Sequence, residues 1–445
     1  MKTIRIGSGA GYSGDRIEPA IELAEKGNID YLVFECLAER TIAIAQQAKM
    51  KNSTLGYDPL LEARMLAVLE ICRQKKIKII TNMGAANPPA AMQKIKQLAE
   101  SKNIKGLKIA AMGGDDVLEE IVAGGYKILE TGEQSEAYKD KMLSANAYLG
   151  AKSIVEALQN GADVVITGRV ADPALFAAPM IYEFGWDMDN YDLMGKATCL
   201  GHLMECAGQV TGGYFSDPGC KDVEGLEVLG FPIAEVLEDA SFFITKVPGS
   251  GGMITEATCK EQLIYELHNP KAYLTPDVVA DFSKVKFKQI ATDKIAVEGA
   301  TGYEKPPTYK VSIGYLDSWI GEGQISYAGQ GAQLRGQQAL KIVKNRFSLY
   351  NAKFTEEKYD LIGINSLHGD TLSEGCSPYE VRARVTCRCT DEKTATLVGN
   401  EVETLYTNGP YGGGGASKAV RQVVGVVSTL LDRSLVKPSI EYEVT

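Results

Sequence analysis

The sequence predicts an α/β protein in which a parallel-sheet layer domain is followed by a second α/β or α+β domain with a mixed or antiparallel sheet. In the first half, short runs rich in Ile, Val and Leu alternate with amphipathic stretches, which is typical of parallel strands buried beneath helices. Later strand candidates alternate polar and apolar residues more regularly, and longer helical patterns separate them. A chain of 445 residues is long enough for two large domains, which we place at residues 1–195 and 196–445.

The strand candidates of the first domain are short and mostly apolar on both faces. They are Thr3–Gly7, Tyr31–Glu35, Lys78–Thr81, Leu107–Ala111 and Val164–Thr167. Helical patterns between them cover Pro19–Lys26, Thr41–Lys51, Pro59–Gln74, Pro89–Ser101 and Asn146–Asn160. Several of these helices are expected to begin where Asp or Asn precedes a proline, because the side chain caps the first turn and proline tolerates it.

The second domain contains more strongly alternating strand candidates and longer helices. The strands are Tyr309–Leu316, Ile325–Ala328, Leu361–Asn365, Tyr379–Cys389 and Ser439–Val444. The helices are Ile254–His268, Ala332–Tyr350 and Lys418–Leu431. Alternation of this kind favours a sheet with one covered face.

Composition excludes several classes of protein. The 47 Lys and Arg residues against 57 Asp and Glu give a net charge of −10, which argues against a nucleic-acid partner. No stretch approaches the ~20 apolar residues that span a bilayer, and the N-terminus lacks the apolar core of a signal peptide. The nine cysteines are scattered without a C-x-x-C pair, which favours reduced thiols and a cytoplasmic location.

A glycine-rich turn follows the first predicted strand. Gly9–Gly14 matches G-x-G-x-x-G, and Glu35 stands where a dinucleotide-binding fold places its ribose-binding acid. NAD(P) is therefore one candidate cofactor. Asp15 opposes it by placing a carboxylate beside the expected pyrophosphate, and Pro19 delays the helix to about Glu18. We favour a tight turn followed by an Asp15-x-x-Glu18 capping box.

Polar side chains follow several strands of the first predicted sheet. Because the carboxyl ends of parallel strands form the ligand crevice of open α/β sheets, we expect these side chains to converge there. Capping a helix or tying a loop would account for any one of them equally well. Asp15 and Glu35 are candidate catalytic groups, and the candidate substrate-binding residues are Glu39, Arg40, Asn82, Asn87, Arg169 and Asp172.

His202 and Glu205 form the clearest acid/base candidate in the chain. Histidine titrates near neutral pH, and a carboxylate three residues away can fix its tautomer. Cys199, His202 and Cys206 would also share one face of a helix, with Cys220 further on, as zinc ligands require. Buried packing is the commoner role of cysteine, so we predict no metal site and keep a divalent metal as an alternative.

A four-glycine loop precedes the predicted helix Lys418–Leu431. Glycine lets backbone amides crowd around an anion, and a helix N-terminus favours negative charge there. The loop does not match the phosphate-binding pattern of ATPases. We expect it to bind a phosphate or carboxylate, or else to let helix and sheet pack closely. Its candidate ligands are Gly412, Gly413, Gly414, Gly415 and Ser417.

Several motifs together resemble the acyclic terpene utilisation A family, from about residue 3 to 432. They include Gly7–Arg16, Phe34–Arg40, Thr81–Pro88, Gly201–Cys206 and Trp319–Gly329, as well as the four-glycine loop. The resemblance implies a role in bacterial breakdown of citronellol and geraniol through branched acyl-CoA intermediates. Some members carry an extra C-terminal domain that resembles a ferredoxin-like fold, so we expect a separate small partner subunit of this kind.

Three functional hypotheses remain open. The first is a lyase or isomerase that acts on a small carboxylate or its CoA thioester by acid/base chemistry. Glu35 or His202 would then transfer protons, and Arg40 or Arg169 would hold a carboxylate. The second is a nicotinamide-dependent oxidoreductase. The third is a non-catalytic subunit that binds an acyl-CoA within a complex, and in each case we expect a homo-oligomer.

Overall fold

The computed structural model describes residues 2–445 and confirms the mixed α/β fold. The elements up to residue 204 are β1 (Thr3–Ala10), α1 (Glu18–Lys26), β2 (Tyr31–Phe34), α2 (Glu39–Lys51), α3 (Leu61–Lys75), β3 (Lys78–Thr81), α4 (Pro88–Ser101), β4 (Lys108–Gly113), α5 (Leu118–Ala123), β5 (Met142–Ala147), α6 (Lys152–Gln159), β6 (Val164–Ile166), α7 (Asp172–Phe184) and α8 (Tyr191–Met204). The remaining elements are β7 (Pro232–Leu237), β8 (Phe242–Lys246), α9 (Glu256–Ile264), β9 (Tyr273–Leu274), β10 (Val279–Asp281), β11 (Lys286–Ala291), β12 (Lys294–Glu298), β13 (Thr301–Tyr303), β14 (Thr308–Ala328), α10 (Ala332–Leu349), β15 (Glu356–Ile362), β16 (Glu380–Cys389), α11 (Glu392–Glu403), α12 (Leu405–Asn408), β17 (Gly414–Asp432) and β18 (Ser439–Val444).

The largest sheet has ten strands in the order β11-β12-β8-β7-β1-β2-β3-β6-β4-β18. Its centre, from β1 through β2, β3 and β6 to β4, is parallel, as the short apolar runs predict. Antiparallel strands extend both sides: β7 pairs with β1, and β18 pairs with β4. Ser439–Val444, predicted in the second domain, therefore completes the first sheet.

Helices cover both faces of the parallel strands. Leu32 and Phe34 of β2 and Ile79 of β3 pack in one core with α1, α3 and α4. Tyr31 alternates with Leu32 and points to the opposite face, where its hydroxyl donates to Glu183 of α7 at 2.6 Å. The chain thus leaves β3 toward one face through α4 and leaves the neighbouring β6 toward the other through α7. The gap between the carboxyl ends of β3 and β6 is a topological switch point, where open α/β sheets bind ligands.

The chain divides into two compact units. One holds the described residues up to Gly314 together with Val426–Thr445, and the other is Tyr315–Gly425. These units differ from the predicted domains 1–195 and 196–445, because β7, β8, β11 and β12 continue the sheet that contains β1. Both β14 and β17 pass from one unit into the other.

The Tyr315–Gly425 unit has the order β-α-β-β-α-β, from β14 through α10, β15, β16 and α11 to β17. Its sheet runs β15-β16-β14-β17, with β16 antiparallel to both neighbours. This is the split β-α-β arrangement of ferredoxin-like folds. Ile325, Val381 and Val385 form its core with apolar residues of α10 and α11.

Three predicted helices differ from the structure. Lys418–Leu431 is wrong, because these residues belong to the long strand β17, where five valines favour extended backbone. Asn146–Asn160 contains the end of β5 and then the shorter helix α6. Ile254–His268 shrinks to α9, which Thr255 begins with a capping box to Thr258. Among residues 2–445, no helix is both long and apolar enough to cross a bilayer.

Candidate functional site

Charged side chains meet at the carboxyl ends of β2 and β6. Arg169 follows β6, and the carboxylates of Glu35, Glu39, Asp172 and Glu205 each interact electrostatically with it. We call these four acids the carboxylate cluster. It lies where the topology predicts a ligand crevice, and it draws together residues that lie up to 170 positions apart in the chain.

Glu35 is buried immediately after β2. Its Oε1 accepts hydrogen bonds from the Leu37 amide at 2.8 Å and from Asn82 Nδ2 at 2.9 Å. Asn82 Oδ1 accepts in turn from the Cys36 amide at 2.7 Å, so Asn82 orients Glu35, and a contact with a substrate stays a prediction. Burial and the charge of Asp172 raise the pKa of Glu35 well above its usual value, although Arg169 and these hydrogen bonds oppose the shift.

Arg169 is fully buried and engaged by its own chain. Its guanidinium donates to the Val170 carbonyl at 2.9 and 2.7 Å, to the Leu37 carbonyl and to Asp172. These four hydrogen bonds leave at most one of its five N–H donors for another group. Because a bidentate grip on a carboxylate needs two donors, this geometry disfavours Arg169 as the ligand of a substrate carboxylate, and that role stays a prediction.

Asp172 lies beside Arg169 and is partly accessible, with 36% of its side-chain surface exposed. Partial burial of the carboxyl group raises its pKa to about 7; Arg169 lowers the pKa, whereas Glu205 and Glu39 raise it further. A carboxyl group of this kind is available near neutral pH in both protonation states, which proton transfer requires.

Glu39 stays ionised at the start of α2. Tyr148 donates its hydroxyl to Glu39 Oε1 at 2.5 Å, and Lys310 Nζ donates to the same oxygen at 3.3 Å. Burial opposes ionisation, but these contacts prevail and lower the pKa of Glu39 to about 2. The Tyr148 ring also lies under the Arg169 guanidinium, 4.4 Å from ring centroid to Cζ. Arg40, next to Glu39, is exposed.

His202 and Glu205 form a buried pair at the end of α8. His202 Nδ1 lies 2.7 Å from Glu205 Oε1, and Nε2 lies 3.0 Å from the Leu263 carbonyl. Since a carbonyl only accepts, Nε2 carries a proton, and the pair shares a second proton between Nδ1 and Oε1. Burial lowers the pKa of His202, but Glu205 outweighs it and raises the pKa above its usual value.

The zinc alternative at this pair finds no support. Both ring nitrogens of His202 are engaged, and Cys199 is buried within α8. Throughout residues 2–445, no three His, Cys, Asp or Glu side chains are placed to hold a metal ion. Cys206 faces Glu205 and Glu35 instead, and burial together with these acids raises the pKa of its thiol.

The glycine-rich turn is closed by its own residues. The Gly11 amide donates to Asp15 Oδ2 at 2.9 Å, and Asp15 Oδ1 accepts from the Arg16 amide at 2.9 Å. Asp15 thus takes the amide that a pyrophosphate would need. The predicted capping box is wrong, because α1 begins at Glu18 after Ile17 with no side-chain cap, although the expected start of the helix is confirmed.

Gly11 is needed for close packing. A Cβ atom there would lie 2.5 Å from the backbone carbonyl carbon of Cys206, far inside van der Waals contact. The turn therefore rests directly on the segment that follows α8 and carries Glu205. Close approach accounts for this glycine without a dinucleotide.

Two further predicted groups lie outside the carboxylate cluster. Asn87 Nδ2 donates to the Ser53 carbonyl at 2.9 Å and to the Leu55 carbonyl at 2.7 Å, so it ties a loop. The four-glycine loop leads into β17, so the helix dipole invoked for anion binding is absent at this position. Arg382 donates to the Gly415 carbonyl at 3.0 Å and to Ser417 Oγ at 2.8 Å.

Three residues of the site are not among those predicted from the sequence. Asp115, after β4, accepts from the Arg169 amide at 3.0 Å and from Asn146 Nδ2 at 2.9 Å. Tyr148 supports Arg169, and Tyr273 of β9 packs its ring on His202 at 5.1 Å between centroids. A polar residue soon after a predicted strand is the one sequence signal that could have identified any of these three residues, and only Asp115 has it.

These features define a mixed α/β protein whose candidate site is a buried acid/base cluster at the switch point of its sheet. The model of the family described as acyclic terpene utilisation family protein AtuA matches residues 4–442. The chain therefore belongs to this family, as its motifs predict. Comparisons with curated proteins and with solved structures gave no match.

Proposed function

We propose that this protein is a catabolic enzyme of acyclic terpene utilisation that acts on a small carboxylate or its CoA thioester by acid/base chemistry. Hydration, dehydration and isomerisation all require one group to remove a proton and another to supply one. The family match supports the metabolic setting. The observation that carries the chemistry is Asp172, a partly exposed carboxyl group with a pKa of about 7 beside Arg169.

Three acids suit complementary roles in this proposal. Asp172 would exchange a proton with the substrate, because it is accessible and titrates near neutral pH. Glu35 would serve as the second acid, since its raised pKa keeps a proton available. The His202–Glu205 pair would supply or store the remaining proton, because one proton is shared along a 2.7 Å contact.

Proton exchange with solvent tests the chemistry even when the product is unidentified. Branched acyl-CoA thioesters and their free acids would be incubated with the protein in D₂O, and mass spectrometry would follow deuterium incorporation and gain or loss of water. We expect Asp172→Asn and Glu35→Gln to lower the rate of the active substrate by about 10²–10⁴-fold. Asp187→Asn, on an exposed loop where Asp187 Oδ1 accepts only from a backbone amide, is the matched control and should react normally.

Unchanged exchange in Asp172→Asn and Glu35→Gln would refute these roles. The nicotinamide alternative is disfavoured, because Asp15 occupies the Gly11 amide; micromolar NAD(P) binding by calorimetry would restore it. The small ferredoxin-like partner subunit and the homo-oligomer stay predictions, which purification from the native host and light scattering would test.

A further inference from the structure

In the carboxylate cluster, the cations and the acids differ in the hydrogen bonds that they can still form with a ligand. Its cations are committed: Arg169 makes four hydrogen bonds to its own chain, and both nitrogens of His202 are bound. One acid keeps an open acceptor, because Glu205 Oε2 is buried with no donor among the described residues, and Glu205 is only 8% exposed. A buried carboxylate oxygen without a donor is an uncompensated acceptor, which disfavours a second anion beside it.

Tyr273 provides an uncommitted donor on a ring that packs on His202, the partner of Glu205. Its ring packs against His202 at 5.1 Å and Phe282 at 5.3 Å between centroids, which fixes its plane. Its side chain is partly exposed, and its hydroxyl makes no hydrogen bond within residues 2–445. Burial and the charges of Glu205 and Asp172 raise the pKa of the phenol well above its usual value, so it keeps its proton.

We propose that Tyr273 is a further catalytic residue whose hydroxyl donates to the carbonyl oxygen of an uncharged ester, thioester or amide, and that the site rejects the corresponding free carboxylate. A carboxylate would add negative charge beside four acids whose buried cationic partners, Arg169 and His202, already hydrogen-bond to their own chain, whereas a neutral carbonyl adds none. This inference rests on the proposed acid/base function and selects one of its two substrate classes.

The donor also fits the proton transfer that Asp172 would perform. When Asp172 takes a proton from the carbon next to the carbonyl, the electron pair of that C–H bond moves toward the carbonyl oxygen. The Tyr273 hydroxyl would stabilise the negative charge that develops there, as donors of an oxyanion hole do. The proton on Asp172 then returns to the product or to solvent, so no further reagent is needed.

Binding measurements test the inference separately from turnover. Calorimetry would compare three related ligands at neutral pH: the isobutyryl N-acetylcysteamine thioester, isobutyramide and isobutyrate. We expect the wild-type protein to bind the thioester and the amide at least about tenfold more tightly than isobutyrate. Tyr273→Phe keeps the ring that packs on His202 and should weaken thioester binding about tenfold.

Tyr303→Phe is the matched control, because Tyr303 is 56% exposed and donates its hydroxyl to Asp281 at 3.2 Å, away from the cluster. It should bind all three ligands as the wild type does, and thermal unfolding would show that both variants fold. Isobutyrate binding as tight as thioester binding, equal affinities in Tyr273→Phe and wild type, or no binding of either uncharged ligand would each overturn the inference. Normal discrimination without deuterium exchange would instead overturn the acid/base function alone.

Discussion

Replacing Arg64 by methionine should destabilise the larger unit strongly. The Arg64 side chain of α3 has no exposed surface, and its Nη1 lies 3.4 Å from Asp58, which is 2% exposed. Nη2 donates to the carbonyls of Tyr12, Ser13 and Asp15 at 3.3, 3.0 and 3.1 Å. The substitution would remove the cation that pairs with the buried Asp58 carboxylate and a donor to three carbonyls of the glycine-rich turn, although the Leu60 amide would still donate to Asp58.

The expected loss in free energy of unfolding is about 3–5 kcal/mol, the usual cost of removing one partner of a buried ion pair. Arg73→Met on the same helix is the matched control. Arg73 is 40% exposed and lies 3.4 Å from Asp163, so its loss should cost no more than about 1 kcal/mol. Urea denaturation followed by circular dichroism would measure both variants.

The double variant Arg64→Met/Asp58→Asn separates the buried charge from the lost packing. Because it removes the unpaired negative charge of Asp58, it should recover about 1–2 kcal/mol relative to Arg64→Met. A loss for Arg64→Met within about 1 kcal/mol of that for Arg73→Met would refute the reasoning, since the buried cation would then contribute no more than an exposed one.

Gly11→Ala should lower the free energy of unfolding, measured by urea denaturation, by about 1–3 kcal/mol, because the new Cβ would lie 2.5 Å from the Cys206 backbone. Gly414→Ala is the control: its Cβ would have no atom within 4 Å, so the substitution should be nearly neutral. Burial raises the pKa of Asp115 from 3.8 to about 6, so the folded state takes up the proton more readily. The easier protonation of Asp115 stabilises the folded state fully below pH 3.8, and this stabilisation is lost as the pH rises through about 6. Raising the pH across this range should therefore lower the free energy of unfolding of the wild type by about 3 kcal/mol relative to Asp115→Asn. Stability curves that run parallel with pH in the two proteins would contradict this. If Asp172 acts as the base, deuterium exchange should rise through its pKa of about 7, and a rate independent of pH from 5 to 9 would exclude that role.

The parallel centre of the fold is readable from the sequence because its strands are buried on both faces. The predicted strands Tyr31–Glu35 and Lys78–Thr81 match β2 and β3 almost to the residue. A short continuous apolar run flanked by turn residues is typical of a strand buried in this way. The same local rules place Glu35 and Asp172 at strand ends and so predict much of the carboxylate cluster.

The errors arise where local pattern and tertiary pairing disagree. Lys418–Leu431 contains apolar residues at spacings that suit a helix, yet it is part of β17, which lies beside β14 in the sheet. That partner lies about a hundred positions away, so no window of the sequence contains it. The helix expected after the four-glycine loop is lost for the same reason, so anion binding there stays a prediction that rests on the loop's backbone amides alone.

Individual donors and acceptors cannot be read from residue types, and they decide the chemistry of this site. Arg169 is a natural carboxylate ligand by type, but its position beside the carbonyls of Leu37 and Val170 commits it to the chain. Tyr273 has no motif around it and becomes a candidate only because β9 brings its ring onto His202.

A cluster that satisfies its own cations and leaves an acceptor on Glu205 and a donor on Tyr273 is suited to polarise an uncharged group rather than to bind an anion. Keeping four acids together is costly for folding, since burial raises the pKa of three of them and neighbouring acids of the cluster raise the pKa of Glu35 and Asp172 further. In the proposed function this cost would provide proton transfer near neutral pH, because each raised pKa brings a carboxyl group closer to the pH at which it can both take and give a proton.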